Sequence, residues 1–493
     1  MAALRHISGH LLYLSALVIL VLSIPVDALA HVSDGLIVVG LIGIWRYGWA
    51  MVNYLRAVVY QRFAYPRLRA RAYAAQAAEP VRGHAYFLIT SYKIDTDTTR
   101  RVYQALFRAA AAAPNGATIV ASVVDTADLR LIQLVHELMD VPMDRVDLII
   151  DQIPGTGKRD ALARSLRLIG RRAPSRRDIL AVVDGDSCVP EDMVAATAPF
   201  FTDPAVGALT TDERVEIAEP GLFADWFALR FTQRQMMMSS MGLSGRVLTL
   251  TGRMSVFRAD LATQPEFIRL VQHDHIDHWR LGRVEFLTGD DKSTWFWLLQ
   301  RGYKMIYLPD VSSLSMETQP RPGFVDSAVT LMIRWFGNML RTNGRALALR
   351  PSQIGLFTWW SILDQKVGIW TTLAGPISVL LAAVFLEPLV VPAYVAWVMA
   401  TRYLFCWVLA TMRGRGFPIT YPFLLYFGQV VGAAVKSFVL FRLDRQRWTR
   451  QSSTWTGGRL PFGARLRAYS SVYVHALALG WLTLGVMLMS GLV

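Results

Sequence analysis

The sequence predicts an α/β domain, a mostly parallel sheet with helices on both faces, inserted between membrane-spanning helices. Three observations predict it. Between residues 80 and 325, short runs rich in Val and Ile alternate with helical patterns, as parallel sheets require. Long apolar runs occupy both ends of the chain. Of 493 residues, 53% are hydrophobic and only 18% charged, against about 25% charged in soluble domains.

Residues 11–30 form the first apolar run, and Ala28-Leu29-Ala30 imitates a signal-peptidase site. The expectation is an uncleaved anchor. The next run, 35–55, precedes Arg56, Arg62, Arg67, Arg69 and Arg71, a cluster that the positive-inside rule places in the cytoplasm. Residues 1–60 therefore read as a transmembrane hairpin and 61–325 as the cytoplasmic α/β domain. Its strand-like runs are Ala85–Thr90, Thr118–Val124, Val146–Ile150 and Ile179–Val183. Helical patterns lie between them at 97–113, 127–139 and 158–172. Residues 326–366 read as interfacial amphipathic helices, with Arg334, Arg341 and Arg345 on the polar side. Two spans, 367–386 and 389–411, flank a break at Leu386-Glu387-Pro388 and make a transmembrane pair over 367–411. Arg413 and Arg415 mark the return to the cytoplasm. The run 421–441 is apolar but carries Gln429 and Lys436 and has basic ends. Residues 412–468 thus read as an interfacial helix followed by a basic loop, and 469–493 as the C-terminal span, containing His475. The expectation is five spans, with six as the alternative.

The formal charge of +14 points to anionic partners: lipid headgroups, nucleotide phosphates or an acidic substrate. The basic residues flank apolar spans instead of forming a separate basic domain, which argues against nucleic acid. Cys188 and Cys406 are too far apart in sequence, and too few, to suggest a disulfide framework or a cysteine zinc site.

The chemistry is centred on Asp184-Gly185-Asp186, where an apolar strand ends in two carboxylates. Two hard oxygen ligands at a strand tip suit Mg²⁺ or Mn²⁺ on a diphosphate; the alternative is a plain turn, which Asp-Gly also favours. Asp125 ends the preceding strand-like run and fits either a ribose or base contact or a helix cap. Gly155-Thr156-Gly157-Lys158-Arg159 opens a helix with groups that approach phosphate, or with plain exposed basic residues, and lacks the P-loop pattern. Asp290 and Asp291, at the start of another helix, are either caps or the general base for an acceptor hydroxyl. Arg334-Trp335 offers a cation for diphosphate and an indole for a sugar ring, or else an aromatic anchor at the membrane surface.

In this order the pieces resemble the processive family-two glycosyltransferases, namely the cellulose, chitin and hyaluronan synthases. The resemblance covers nearly the whole chain and implies a GT-A fold, a nucleotide-sugar donor and a divalent metal, Mg²⁺ or Mn²⁺, at Asp186 with Asp184. It implies Asp291 as general base beside Asp290. Asp125 and Asp184 would contact the nucleotide, and Lys158 and Arg334 the phosphates. Trp335 would stack on the acceptor, and Thr251–Arg258, with Arg253 and Ser255, would form the acceptor segment. The family's Gln-x-x-Arg-Trp is here Leu331-Met332-Ile333-Arg334-Trp335, and its Pro-x-Tyr-Asn-Glu is Thr90-Ser91-Tyr92-Lys93-Ile94. Both departures lie near donor and acceptor and argue against a cellulose- or hyaluronan-type donor.

At closer range Val183–Pro190, Gly252–Ala259 and Phe286–Trp297 resemble the catalytic subunits of bacterial alginate synthases. That implies GDP-mannuronate as donor, a β-1,4-polymannuronate product, and an inner-membrane export complex with a cyclic di-GMP-binding co-polymerase. Arg46 and Arg402 fall mid-way in apolar runs, where a charge costs roughly 2.5–3.5 kcal/mol on insertion scales. They fit a polyanion translocation path, or else pairing with a neighbouring helix. Related synthases cap the bound donor with a Trp/Thr/Arg loop, for which Trp448-Thr449-Arg450 and Trp455–Arg459 are candidates; lipid-headgroup binding is the alternative. The other functional readings are a UDP-sugar polysaccharide synthase, a lipid-phosphate sugar transferase, and a non-catalytic export scaffold.

Overall fold

The computed structural model describes residues 2–25, 37–79, 83–139, 142, 144–285, 287–445 and 462–491. The α/β domain is built on an eight-stranded mixed sheet. Its strands are β1 Ala85–Thr90, β2 Ala117–Val123, β3 Val146–Gln152, β4 Ile179–Asp184, β5 Ser187–Cys188, β6 Val206–Glu216, β7 Met254–Arg258 and β10 Lys304–Met316, in the order β3-β2-β1-β4-β7-β6-β10-β5. A separate small hairpin joins β8 Ile276–His278 to β9 Gly282–Val284. β1 pairs in parallel with β2 and β4, β2 with β3, and β6 with β10; β7 runs antiparallel to both β4 and β6.

The first strands lie within a residue or two of the expected runs because β1, β2 and β4 are apolar on both faces, while the edge strand β3 keeps an apolar run between Asp147 and Asp151. All of β2 and the first five residues of β1 are buried, as strands covered on both sides must be. The helix Thr96–Ala111 covers them with Val102, Tyr103, Leu106, Phe107 and Ala110, a stripe at helical spacing. Asp95 caps it, accepting from Thr98 N at 2.9 Å.

Among the described residues, four helices are long and apolar enough to cross a membrane: Leu356–Phe385, Val390–Arg413, Tyr421–Leu440 and Arg465–Met489. The chain is a membrane protein. The first of these starts at Leu356 instead of 367. Asp364, Gln365 and Lys366 interrupt the apolar run in sequence, but Asp364 pairs with Arg46 and Gln365 accepts from Asn343. Ahead of the domain lie the helices Ala2–Leu22 and Ile37–Val59. Both ends of Tyr421–Leu440 touch the α/β domain: Thr420 donates to Asp225 at 2.7 Å, and Arg280 donates to Phe441 O at 2.6 Å, while Arg341 of Phe324–Leu347 donates to Leu443 O at 3.0 Å. Arg413, closing Val390–Arg413, pairs with the buried Asp212 on β6, tying a membrane helix directly to the sheet.

Candidate active site and membrane cavity

The carboxyl ends of the parallel strands form one edge, and β4 delivers Asp184 there opposite Thr90. Gly185 donates to Thr90 O at 3.2 Å, and a side chain at 185 would collide with Ser91 and Ile94. Asp186 follows; its carbonyl accepts from Met316 N at 2.8 Å, so β10 fixes the turn. Because β7 is antiparallel to β4, the segment leading into it returns to the same edge. Asp184 N donates to Gly252 O at 2.8 Å, and a Cβ on Gly252 would stand 2.5 Å from Asp184 Oδ2. Only glycine permits that approach. Ser255 is buried and closes this turn, donating to Thr251 O at 2.7 Å and accepting from Thr251 N at 3.0 Å. In this geometry its hydroxyl is committed to the backbone.

Lys158 begins the helix Lys158–Gly170 after Gly157, whose φ of +118° favours glycine. Its ammonium lies 2.7 Å from Asp184 Oδ1 and 3.2 Å from Asp290 Oδ2. Burial opposes that charge, but Asp184, Asp290 and Asp291 outweigh it and raise the Lys158 pKa above the usual lysine range. Burial likewise pushes Asp184 up, and Lys158, Arg253 and Arg334 overcome it and hold the carboxyl below the usual range. Asp291 has the opposite balance. Burial, then the adjacent Asp290, push its carboxyl up to about 6 against Lys158 and Lys292. Two neighbouring carboxylates are thus driven apart in acidity, one kept ionised and one poised near neutrality. Asp290 and Asp291 line a cavity of about 30 Å³ with Thr251, Gly252 and Ser255.

Arg253 donates to Ser315 at 3.1 Å and Glu317 at 2.7 Å, with its guanidinium 4.9 Å over Phe231. Arg334 is half-buried, within the electrostatic reach of Glu317, Arg253, Asp184 and Asp186. Trp335 stacks on Trp226 at 5.8 Å and 15°, and the Arg230 guanidinium stands 4.8 Å from its ring centre. An acceptor sugar would share Trp335 with these two. Asp125 is exposed just beyond β2, two strands from Asp184; it occupies the cap position of Thr126–Leu138 without a side-chain capping bond. Asp184 and Asp186 are the carboxylates that would hold a metal here. Among the described residues no cluster of three His, Cys, Asp or Glu exists, so an ion there would draw its other ligands from diphosphate and water, the usual arrangement for Mg²⁺.

The frame behind Asp291 has no local signature in the sequence. Arg159, beside Lys158, turns away from the phosphate side and is buried, donating to Val271 O at 2.7 Å and Ser293 Oγ at 2.8 Å. Ser293 donates to Asp274, which Arg345 grips at 2.7 and 2.9 Å. Arg341 donates to Asn338 at 2.8 Å, and Thr288 to the same oxygen at 2.6 Å. The helix Phe324–Leu347 thereby holds the turn that presents Asp290 and Asp291.

A second cavity, of about 510 Å³, lies between the helices Ile37–Val59, Leu222–Gly242, Phe324–Leu347, Leu356–Phe385, Val390–Arg413 and Tyr421–Leu440. Its lining holds five basic side chains, Arg46, Arg230, Arg234, Arg402 and Lys436, and one acid, Asp364. Arg46 is paired with Asp364 at 2.8 Å, the pairing alternative, and still faces the cavity; Arg402 donates to Tyr47 OH at 2.9 Å. Trp448, Arg450 and Trp455 lie outside the described residues.

Residues 82–338 match the family model described as glycosyltransferase like family 2. The chain is 40% identical over 471 residues to "Glycosyltransferase alg8" of Pseudomonas syringae pv. tomato, covering 95% of each. It is 41% identical over 454 residues to the protein of the same name from Azotobacter vinelandii, covering 92% of this chain and 91% of that one. Among solved structures, the mannosyltransferase PcManGT from Pyrobaculum calidifontis, in complex with GDP-Man and Mn²⁺, matches 78% of this chain and 98% of its own at 17% identity and a TM-score of 0.42.

Proposed function

We propose, from the premise that this chain belongs to glycosyltransferase family 2, that it is an inverting, processive synthase that polymerises GDP-mannuronate into β-1,4-polymannuronate. The polymer leaves through the membrane part of the same chain. The observation that carries the acidic-polymer half of this reading is the cavity, with five basic side chains against one carboxylate. Half-buried cations in such excess are costly and mark a path for anions, whereas a neutral glucan has no use for them. The resemblance of the Asp184, Gly252 and Asp291 segments to alginate synthases supports the donor. The catalytic domain sits on the cytoplasmic side of the inner membrane, with a cyclic di-GMP-binding co-polymerase as partner. The contacts at both ends of Tyr421–Leu440 support an interfacial helix there, and hence five spans.

In this mechanism Asp291 accepts the proton of the acceptor hydroxyl as its oxygen attacks the sugar carbon from the face opposite the nucleotide. Lys158 and Arg334 hold the diphosphate, and Asp125 holds the nucleoside. Asp184 and Asp186 would hold Mg²⁺ or Mn²⁺, which neutralises the charge that gathers on the leaving diphosphate. Lys158 exchanges its Asp290 contact for phosphate oxygens when donor enters. Arg253 and Ser255 shape the acceptor side, Trp335 supports the acceptor ring, and the Trp448–Arg450 stretch caps the donor. Arg46 and Arg402 line the exit.

The test supplies membranes carrying the chain and its partners with labelled GDP-mannuronate, UDP-glucose or UDP-glucuronate, each with Mg²⁺ or Mn²⁺. Polymer from the GDP donor alone is expected. Polymer from a UDP donor would keep the chemistry and overturn the substrate; glycosyl transfer from none of the three would overturn the reading as a whole.

A further inference from the structure

Two of the cavity's cations differ from the rest. Arg46 has Asp364, Arg234 lies 3.4 Å from Glu213 and donates to Thr211 O, and Arg402 has Tyr47. Arg230 and Lys436 have no ion pair and no hydrogen bond among the described residues; their polar ends rest on aromatic faces. Arg230 lies 5.7 Å and Lys436 4.6 Å from the ring centre of the same residue, Phe336, which follows Trp335 directly. Both line the cavity, neither is more than half-exposed, and they come from different helices, Leu222–Gly242 and Tyr421–Leu440. Aromatic faces offset part of the cost of a desolvated cation but leave its hydrogen-bonding capacity unused. Like charges held on one ring in a low-dielectric wall repel, and a carboxylate between them removes that cost.

We infer that Arg230 and Lys436 form a carboxylate-binding subsite at the mouth of the membrane cavity, which takes the uronate group of a sugar just past the acceptor position. This rests on the polyuronate reading and adds to it a place where the enzyme reads the acidic group of the acceptor chain. Arg230 supplies a planar fork able to take a carboxylate through two nitrogens; Lys436 supplies a mobile point charge on the same ring. A neutral sugar at this position would leave both cations unmatched, so the subsite selects against neutral acceptors.

The experiment uses the full chain purified in detergent and two probes: a short oligomannuronate and its carboxyl-reduced, neutral counterpart of equal length. The wild type is expected to bind the charged probe at least about tenfold tighter than the neutral one, the scale of one charge-assisted contact. Lys436→Met and Arg230→Gln each weaken the charged probe by about 5- to 20-fold and leave the neutral probe unchanged. Lys436→Arg restores binding where Lys436→Met does not. Equal loss for both probes, equal wild-type affinity for both, or no rescue by Lys436→Arg overturns the subsite. Turnover of GDP-mannuronate is measured in parallel in membranes carrying the chain with its partners. Turnover with no charge preference sinks the subsite alone; charge preference without turnover sinks the donor assignment and leaves the subsite standing.

Discussion

Asp291→Asn is expected to lower turnover by about 10²–10⁴-fold, the range a positioned general base contributes, while donor affinity stays within a few-fold. The cause is local. Burial and Asp290 push the Asp291 carboxyl up to about 6, and a base works best when its pKa lies near the working pH. In the free enzyme kcat/KM should therefore fall with one-proton dependence as pH drops through about 6 and be level above it. The stability sign is opposite. A raised carboxyl pKa means that above pH 6 the folded state holds an ionised Asp291 at a cost, and the neutral amide removes that cost. The variant should be more stable at pH 7 by about 1–3 kcal/mol, a gain that vanishes below pH 4. Loss of turnover together with loss of stability would mean that Asp291 holds the helix start and is not the base.

Lys158→Met is expected to act on binding and folding together. The ammonium bridges Asp184 and Asp290, and removing it leaves both carboxylates at the site without their shared cation. Breaking a fully buried pair costs about 3–5 kcal/mol; partial exposure of Lys158 and Asp184 reduces the expectation to about 2–3 kcal/mol. Because the Asp184 pKa is depressed, the pair's stabilisation is full above the ordinary aspartate range and is lost as pH falls through the lower folded value. The difference between wild type and variant should therefore shrink in acid. GDP affinity should fall by about 10- to 100-fold, since the diphosphate loses a charge-assisted partner. Lys158→Arg should recover most of the stability. Wild-type GDP affinity in Lys158→Met, measured on folded protein, would remove Lys158 from the donor site.

Much of the catalytic domain was legible because its central parallel strands β1, β2 and β4 are apolar on both faces and lead to the candidate site. The run from Ile179 to Val183 needs burial, and Asp184 follows at the edge where parallel strands meet. The helix Thr96–Ala111 shows its stripe at helical spacing and its cap at Asp95. What remained hidden depends on distant residues. Gly252 looks like an ordinary turn glycine until β7, running antiparallel, brings it against Asp184. Lys158 and Arg159 read as one basic pair, yet the first bridges two carboxylates and the second is buried behind Asp291. Asp364 broke the apolar pattern and delayed the expected start of its helix, because the partner that makes it tolerable, Arg46, lies on another helix. Arg230 sits in a helix whose periodicity is blurred by burial on several sides, and Lys436 read only as a blemish in an apolar run. Trp335 read as free to stack on a sugar, and its packing on Trp226 could not be foreseen from either neighbourhood.

The central claim is that one chain both joins acidic sugars and passes them through its cation-lined membrane cavity. The most direct measurement places inside-out membrane vesicles, carrying the chain with its partners, in labelled GDP-mannuronate, and then adds a polymannuronate lyase to the outside. Labelled polymer is expected to resist the lyase until detergent opens the vesicles, with Asp291→Asn forming less than about a hundredth as much. Polymer fully digested while the vesicles remain sealed would separate synthesis from export and contradict the claim.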